Sequence, residues 1–150
     1  KCVIIYQEVT IVIQIYTTPS CASCRKAKKW FDQYKIPYSE KNIFSIKLSK
    51  EDIFRMLANS ENGFDDIIST RSKVFKEKKL DPDNMSVQEL IEFIIDYPSV
   101  LKRPIIINEN ELQVGYNNED ITIFLPKELR NLDSFSDFDA EPINVKYSKK

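Results

Sequence analysis

The spacing of apolar residues along the chain changes several times, and each change marks an element. Residues 11–16 alternate and are rich in β-branched side chains, which predicts a strand, and Thr17-Thr18-Pro19-Ser20 breaks the pattern. Ala27, Trp30, Phe31 and Tyr34 then fall at i, i+3, i+4 and i+7. Arg25, Lys26, Lys28, Lys29 and Asp32 occupy the other positions, so an amphipathic helix is expected. Pro37 ends that helix and residues 38–44 return as a second strand. The result is a β-α-β unit with Cys21 and Cys24 at its first turn.

Residues 49–97 show no strand pattern and several helix starts. Ser49 with Asp52 resembles a capping box ahead of Ile53, Met56 and Leu57, and Ser86 with Glu89 does so ahead of Val87, Leu90, Ile91, Ile94 and Ile95. This stretch reads as a helical insertion. Pro98 stops its last helix, Ile105-Ile106-Ile107 reads as a buried strand, and Asn108-Glu109-Asn110-Glu111 turns the chain into Leu112-Gln113-Val114 as a hairpin. A short helix over 118–125 closes the domain, with Pro126 at its end. The two glycines, Gly63 and Gly115, are so scarce that each is expected where the backbone needs a positive φ or a close approach.

The fold class these elements predict is α/β, a thioredoxin-like arrangement with a central helical insertion. It occupies residues 12–130, which is one domain's length. Residues 1–11 read as an upstream extension or an artefact of start assignment, because the natural first strand begins after them. Residues 131–150 mix Asp, Ser and isolated aromatics without a period and read as a largely disordered tail.

Composition narrows the function. With 22 basic and 23 acidic residues the formal charge is -1, which argues against a protein that coats nucleic acid by itself; any DNA contact is local or borrowed from a partner. The apolar runs are too short to cross a bilayer, and the N-terminus lacks the apolar core and cleavage site of an export signal, so no membrane association is expected. Three cysteines, two of them three positions apart, make a poor secreted disulfide framework and a good reactive dithiol, which points to the reducing cytoplasm.

Cys21 and Cys24, at i and i+3, share one face of the first helical turn. Cys21 sits where unpaired N–H groups and the helix dipole favour a thiolate, and Arg25, Lys26 and Lys28 act in the same direction, so its pKa is expected to fall. Cys24, deeper in the helix, suits the resolving thiol that converts an oxidised or mixed-disulfide Cys21 into an intramolecular bond. A closed zinc site is not available to one chain, since it has no His and only Cys2 besides this pair. Cys2 reads as incidental, and no metal or cofactor is implied.

Arg103-Pro104 leads into the buried strand. In a thioredoxin-like topology that pair faces the cysteine turn, and the X-Pro bond there can be cis, which places Arg103 beside the dithiol. Arg71, within Ser69-Thr70-Arg71-Ser72-Lys73, has no apolar neighbours on a helical face and is a candidate to join Arg103 in an anion or carboxylate site; the plainer alternative is a pair of solvated arginines.

Three separated stretches carry a resemblance. Thr18-Pro19-Ser20-Cys21-Ala22-Ser23-Cys24-Arg25-Lys26-Ala27, Ile68-Ser69-Thr70-Arg71-Ser72, and Leu101-Lys102-Arg103-Pro104-Ile105-Ile106-Ile107 with Leu112-Gln113-Val114-Gly115-Tyr116 resemble the Spx regulators of Firmicutes, a branch of the arsenate reductase-like (ArsC) family. The resemblance covers about residues 12–130. It implies a transcriptional regulator that binds the C-terminal domain of the RNA polymerase α subunit and redirects transcription under disulfide stress, touching promoter DNA only together with polymerase. It further implies that Cys21 and Cys24 form the switch, that Gly63 lies at the polymerase contact with Arg103 also on the partner side, and that Arg71, Lys73 and Arg103 support the oxidised form or promoter contact. A protease adaptor is a further candidate partner. Family members commonly end in a short degradation signal, whereas this chain ends Asn144-Val145-Lys146-Tyr147-Ser148-Lys149-Lys150.

The competing expectation is an enzyme, an arsenate reductase-like or glutaredoxin-like thiol oxidoreductase. Arsenate reductases of the family pair one cysteine with small and hydroxyl residues and a third arginine after the hairpin. Here Cys24 stands at the hydroxyl position and no arginine occurs between Arg103 and Arg130, so both changes weigh towards a regulator.

Overall fold

The computed structural model describes residues 12–126. Four strands, β1 (Gln14–Thr17), β2 (Ser39–Asn42), β3 (Ile105–Ile107) and β4 (Leu112–Val114), form one sheet in the order β2-β1-β3-β4. β1 and β2 run parallel, while β3 is antiparallel to both β1 and β4. The parallel pair needs a crossover, which α1 (Ala22–Gln33) supplies. Between β2 and β3 lie α2 (Lys50–Ala58), α3 (Phe64–Ile67), α4 (Lys73–Glu77) and α5 (Val87–Asp96), the expected helical insertion.

Each face of the sheet is covered by a different part of the chain. Ile13, Ile15 and Ile106 pack with Ala27, Trp30 and Phe31 of α1 and with Ile121 and Phe124. Tyr16, Ile105 and Ile107 point the other way, into Ile53, Met56, Leu90, Ile91 and Ile94 of the insertion. That period-two split explains why Ile105-Ile106-Ile107 is apolar throughout: the strand is buried on both faces.

The helix starts follow their sequence signals. Ser49 and Asp52 form a reciprocal capping box on α2, and Ser86 and Glu89 form another on α5. Gly63 (φ +66°) and Gly115 (φ +83°) both take a positive φ.

Three expectations are corrected at element ends. β1 runs through Thr17 instead of breaking before it, because the buried Thr17 hydroxyl donates to Glu40 Oε2 at 2.8 Å and so finds a partner inside the sheet. β2 is confined to Ser39–Asn42, after which the Asn42 side chain accepts from Phe44 N–H at 2.9 Å and turns the chain. Residues 118–125 hold a 3₁₀ helix, Asp120–Phe124, rather than an α-helix. Residues 1–11 and the tail at 131–150, read above as an extension and as disordered, lie outside the described residues.

Candidate functional site: a capped disulfide beside two arginines

α1 begins at Cys21, whose extended backbone (φ -104°, ψ 107°) makes it the N-cap. Its sulfur accepts the Cys24 N–H at 3.1 Å, and its carbonyl accepts the Arg25 N–H at 3.1 Å. A sulfur thus takes the place that a Ser or Asp oxygen usually fills at a helix start. The two cysteines are joined in a disulfide, with their Cα atoms 5.2 Å apart. Cys24 is 2% exposed and packs inward, while Cys21 is only partly buried. The turn that delivers Cys21 to the helix start includes Ser20 at φ 63°, in the left-handed region.

Cys21 opens onto a cleft of about 570 Å³ that is also lined by Arg71, Arg103, Ser69, Ser99 and Phe44. The two arginines are 32 positions apart in sequence (103 minus 71), and backbone pairing brings them together. Ser69 N–H donates to the Val100 carbonyl and Lys102 N–H to the Ile67 carbonyl, both at 2.8 Å, around an antiparallel bridge between Ile68 and Leu101. Arg71 follows the first of these segments and Arg103 the second. Ser72 caps α4 by accepting the Phe75 N–H at 3.2 Å, which fixes Arg71 just ahead of that helix. Arg103 Nη1 donates to the Ser99 carbonyl at 3.3 Å, and the Arg103-Pro104 bond is cis.

A second set of contacts holds the thiol-bearing unit together. Glu40 on β2 accepts from Thr17 on β1 at 2.8 Å and from Lys28 on α1 at 3.0 Å. Burial opposes its ionisation, but the Lys28 and Thr17 hydrogen bonds and the Lys28 charge outweigh it and hold the carboxyl below the usual range. One acidic side chain therefore ties both strands to the helix that Cys21 caps.

Cys21, Arg71 and Arg103 line one cleft, while Cys24 is bonded to Cys21 but buried behind it. Lys73 does not join them: it is 85% exposed in its side chain and pairs with Glu77 at 3.7 Å along α4. Gly63 is the N-cap of α3 and does not line the cleft. Sequence reasoning passed over Phe44, which is 56% exposed at the cleft rim, and Glu40, whose role depends on a partner 23 positions away. An exposed aromatic next to a strand end was the available signal for Phe44; Glu40 had none. No group of three or more His, Cys, Asp or Glu among the described residues is arranged to hold a metal ion. No helix among them is long and apolar enough to cross a membrane.

This geometry agrees with comparison to known proteins. Residues 16–124 match the model of the ArsC family. The chain belongs to that family. It is 50% identical over 119 residues to the global transcriptional regulator Spx 1 of Bacillus cereus, covering 79% of this chain and 91% of that one. It is 48% identical over 120 residues to the global transcriptional regulator Spx of Bacillus subtilis, covering 80% and 92%. Among solved structures, an ArsC family related protein from Bacteroides fragilis superposes with a TM-score of 0.66 at 26% identity, covering 73% of this chain and 94% of that one. The α/β, thioredoxin-like architecture of the ArsC family is thus present, with the cysteine pair and both arginines inside the matched region.

Proposed function

We propose that the chain is a redox-responsive global regulator of transcription that binds the C-terminal domain of the RNA polymerase α subunit and redirects transcription under disulfide stress. The observation that carries this reading is the Cys21–Cys24 disulfide at the N-cap of α1. Reducing it takes two electrons and two protons and returns two thiols, so the helix start exists in two covalent states. Any partner surface that includes this turn or the adjoining cleft is then sensitive to oxidation. Relatives at about half identity named as global regulators support the same reading.

In this account Cys21 is the attacking thiol and Cys24 the resolving one. Arg103 and Arg71 respond to the state of the turn through the shared cleft, and Gly63 lies on the polymerase contact. Lys73 is the promoter-phosphate contact in this reading, which its exposure on α4, away from the thiols, supports. Promoter contact takes place only in complex with polymerase, a protease adaptor is a further partner, and the site of action is the cytoplasm.

The test is retention of purified α C-terminal domain on the immobilised full chain under reducing and oxidising conditions. Binding that is lost in Gly63→Arg supports the account. No retention in either state, together with turnover of arsenate or glutathione disulfide, replaces it with the second reading, a thiol-dependent oxidoreductase. That reading is kept because Cys21 shares its cleft with two arginines, an arrangement that suits an oxyanion.

A further inference from the structure

The sheet ends on β4, and the outer edge of that strand is open among the described residues. Gly115 N–H donates to the Pro104 carbonyl at 2.7 Å and Asn108 N–H to the Glu111 carbonyl at 3.1 Å. Hydrogen-bonded pairs alternate in an antiparallel ladder, so Gln113 exchanges bonds with Ile106 while Leu112 and Val114 turn their N–H and C=O groups away from β3. No described residue pairs with those four groups. Such an edge is a template for one more strand.

The surroundings of the edge set the chemistry of the strand it takes. A groove of about 650 Å³ runs beside it, lined by the carboxylates Glu61, Asp66, Glu111 and Asp120. Lys102 is its one cation among the described residues, and that ammonium already donates to the Asp65 carbonyl at 3.1 Å. The Asn62 and Glu61 N–H groups each donate to Asp66 Oδ2 at 2.9 Å and hold that carboxyl below the usual range. The groove therefore favours a cationic strand and repels an anionic one. A second copy of this chain paired edge to edge sets these carboxylates against their own duplicates, and is disfavoured for the same reason.

Gln113 adds a second requirement. Side chains alternate along a strand, so Gln113 points to the face opposite Leu112 and Val114. It is 8% exposed, its Nε2 donates to the Gly115 carbonyl at 3.3 Å, and its Oε1 has no hydrogen-bond partner although the residue lines the groove. A buried acceptor of this kind is destabilising until a donor reaches it. On an antiparallel strand added to β4, the residue opposite Gln113 falls in a non-hydrogen-bonded pair, where facing side chains are closest. A lysine or arginine there supplies the donor. The residues on either side of it face Leu112 and Val114, which continue the apolar surface of the insertion's core.

We propose that the β4 edge binds an extended segment of a partner protein as a fifth, antiparallel strand, with apolar residues beside Leu112 and Val114 and a lysine or arginine opposite Gln113. Neither cysteine lines this groove, so the inference stands independently of the redox reading.

Amide exchange followed by NMR tests this on the full chain with a synthetic peptide that alternates valine and lysine. Two control peptides carry glutamate in place of lysine, or proline in place of valine, which removes the N–H donors. At about nine-tenths occupancy by the first peptide the Leu112 and Val114 amides are expected to exchange about tenfold more slowly, since only the unbound tenth is open. The Gln113 amide, bonded to Ile106, is the internal control and keeps its rate. Neither control peptide protects, and a Glu61→Gln/Glu111→Gln/Asp120→Asn variant binds the first peptide about tenfold or more weakly. Unchanged Leu112 and Val114 exchange with the first peptide overturns the proposal, as does equal protection by either control or equal affinity for the neutralised variant. Protection without peptide that fades on dilution overturns it too, in favour of a second copy seated on the edge.

Discussion

The Cys24 amide donates to the Cys21 sulfur at 3.1 Å, so the atom that undergoes thiol chemistry is also the cap of the helix behind it. Oxidation state and helix start are thereby coupled at one atom. Under reducing conditions Cys21→Ala removes the cap and is expected to cost about 1 kcal/mol in urea unfolding, whereas Cys21→Ser keeps an acceptor and stays within about 0.5 kcal/mol of the parent. In the reduced parent, Cys21 is expected to alkylate about tenfold or more faster than the buried Cys24, read by mass spectrometry of partially labelled protein. Equal labelling of the two would remove Cys21 from the attacking role.

Asp52 gives the fold a specific acid sensitivity. Burial works against its ionisation, but the Ser49 N–H at 2.9 Å and hydroxyl at 3.0 Å, the Tyr16 hydroxyl at 3.1 Å and the Lys41 charge together hold its carboxyl below the ordinary value of 3.8. A group depressed in the folded state contributes stability that is full above its unfolded value and is lost as pH falls through the folded one. Asp52→Ala is therefore expected to destabilise by about 1 kcal/mol near neutral pH through loss of the capping box. Its penalty shrinks below about pH 4, as protonation removes the same interactions from the parent. Denaturant titrations at pH 7 and pH 3 measure both halves.

Gly63 combines open space with a demanding backbone. An added Cβ would meet nothing within 4 Å, yet φ is +66° and ψ -131°, a conformation that side-chain-bearing residues rarely adopt. Gly63→Ala is expected to lower stability by about 1–2 kcal/mol without any clash. Loss of partner binding in Gly63→Arg is thus read at a temperature where its circular dichroism matches the parent. An unchanged melting temperature for Gly63→Ala would contradict the backbone account.

How far the sequence was legible depends on how local the cause is. The boxes at Ser49 and Ser86, the stop at Pro98 and the i, i+3, i+4, i+7 stripe of α1 are set within a turn or two, and each appears where the pattern placed it. Thr17 was misread because its hydroxyl is satisfied by Glu40, a partner that exists only once β2 lies beside β1. The same holds for the Tyr16 hydroxyl, which reaches Asp52 across 36 positions. At the site, Cys21 and Cys24 were evident from spacing, whereas the meeting of Arg71 with Arg103 depends on the backbone bridge between Ile68 and Leu101. Lys73, two positions after Arg71, projects from α4 and pairs with Glu77 instead of lining the cleft.

In the proposed function the covalent state of Cys21 and Cys24 sets transcriptional output, with Arg103 conveying that state through the shared cleft. Transcription from a stress promoter by purified polymerase, with the full chain added before and after treatment with a thiol oxidant, measures this directly. The account predicts about tenfold or greater activation by the oxidised parent, little by the reduced parent or by Cys24→Ala in either condition, and a marked loss in oxidised Arg103→Ala despite an intact disulfide. Equal activation by oxidised parent, reduced parent and Cys24→Ala would contradict it, as would arsenate turnover that collapses in Arg103→Ala with no polymerase-dependent transcription from any form.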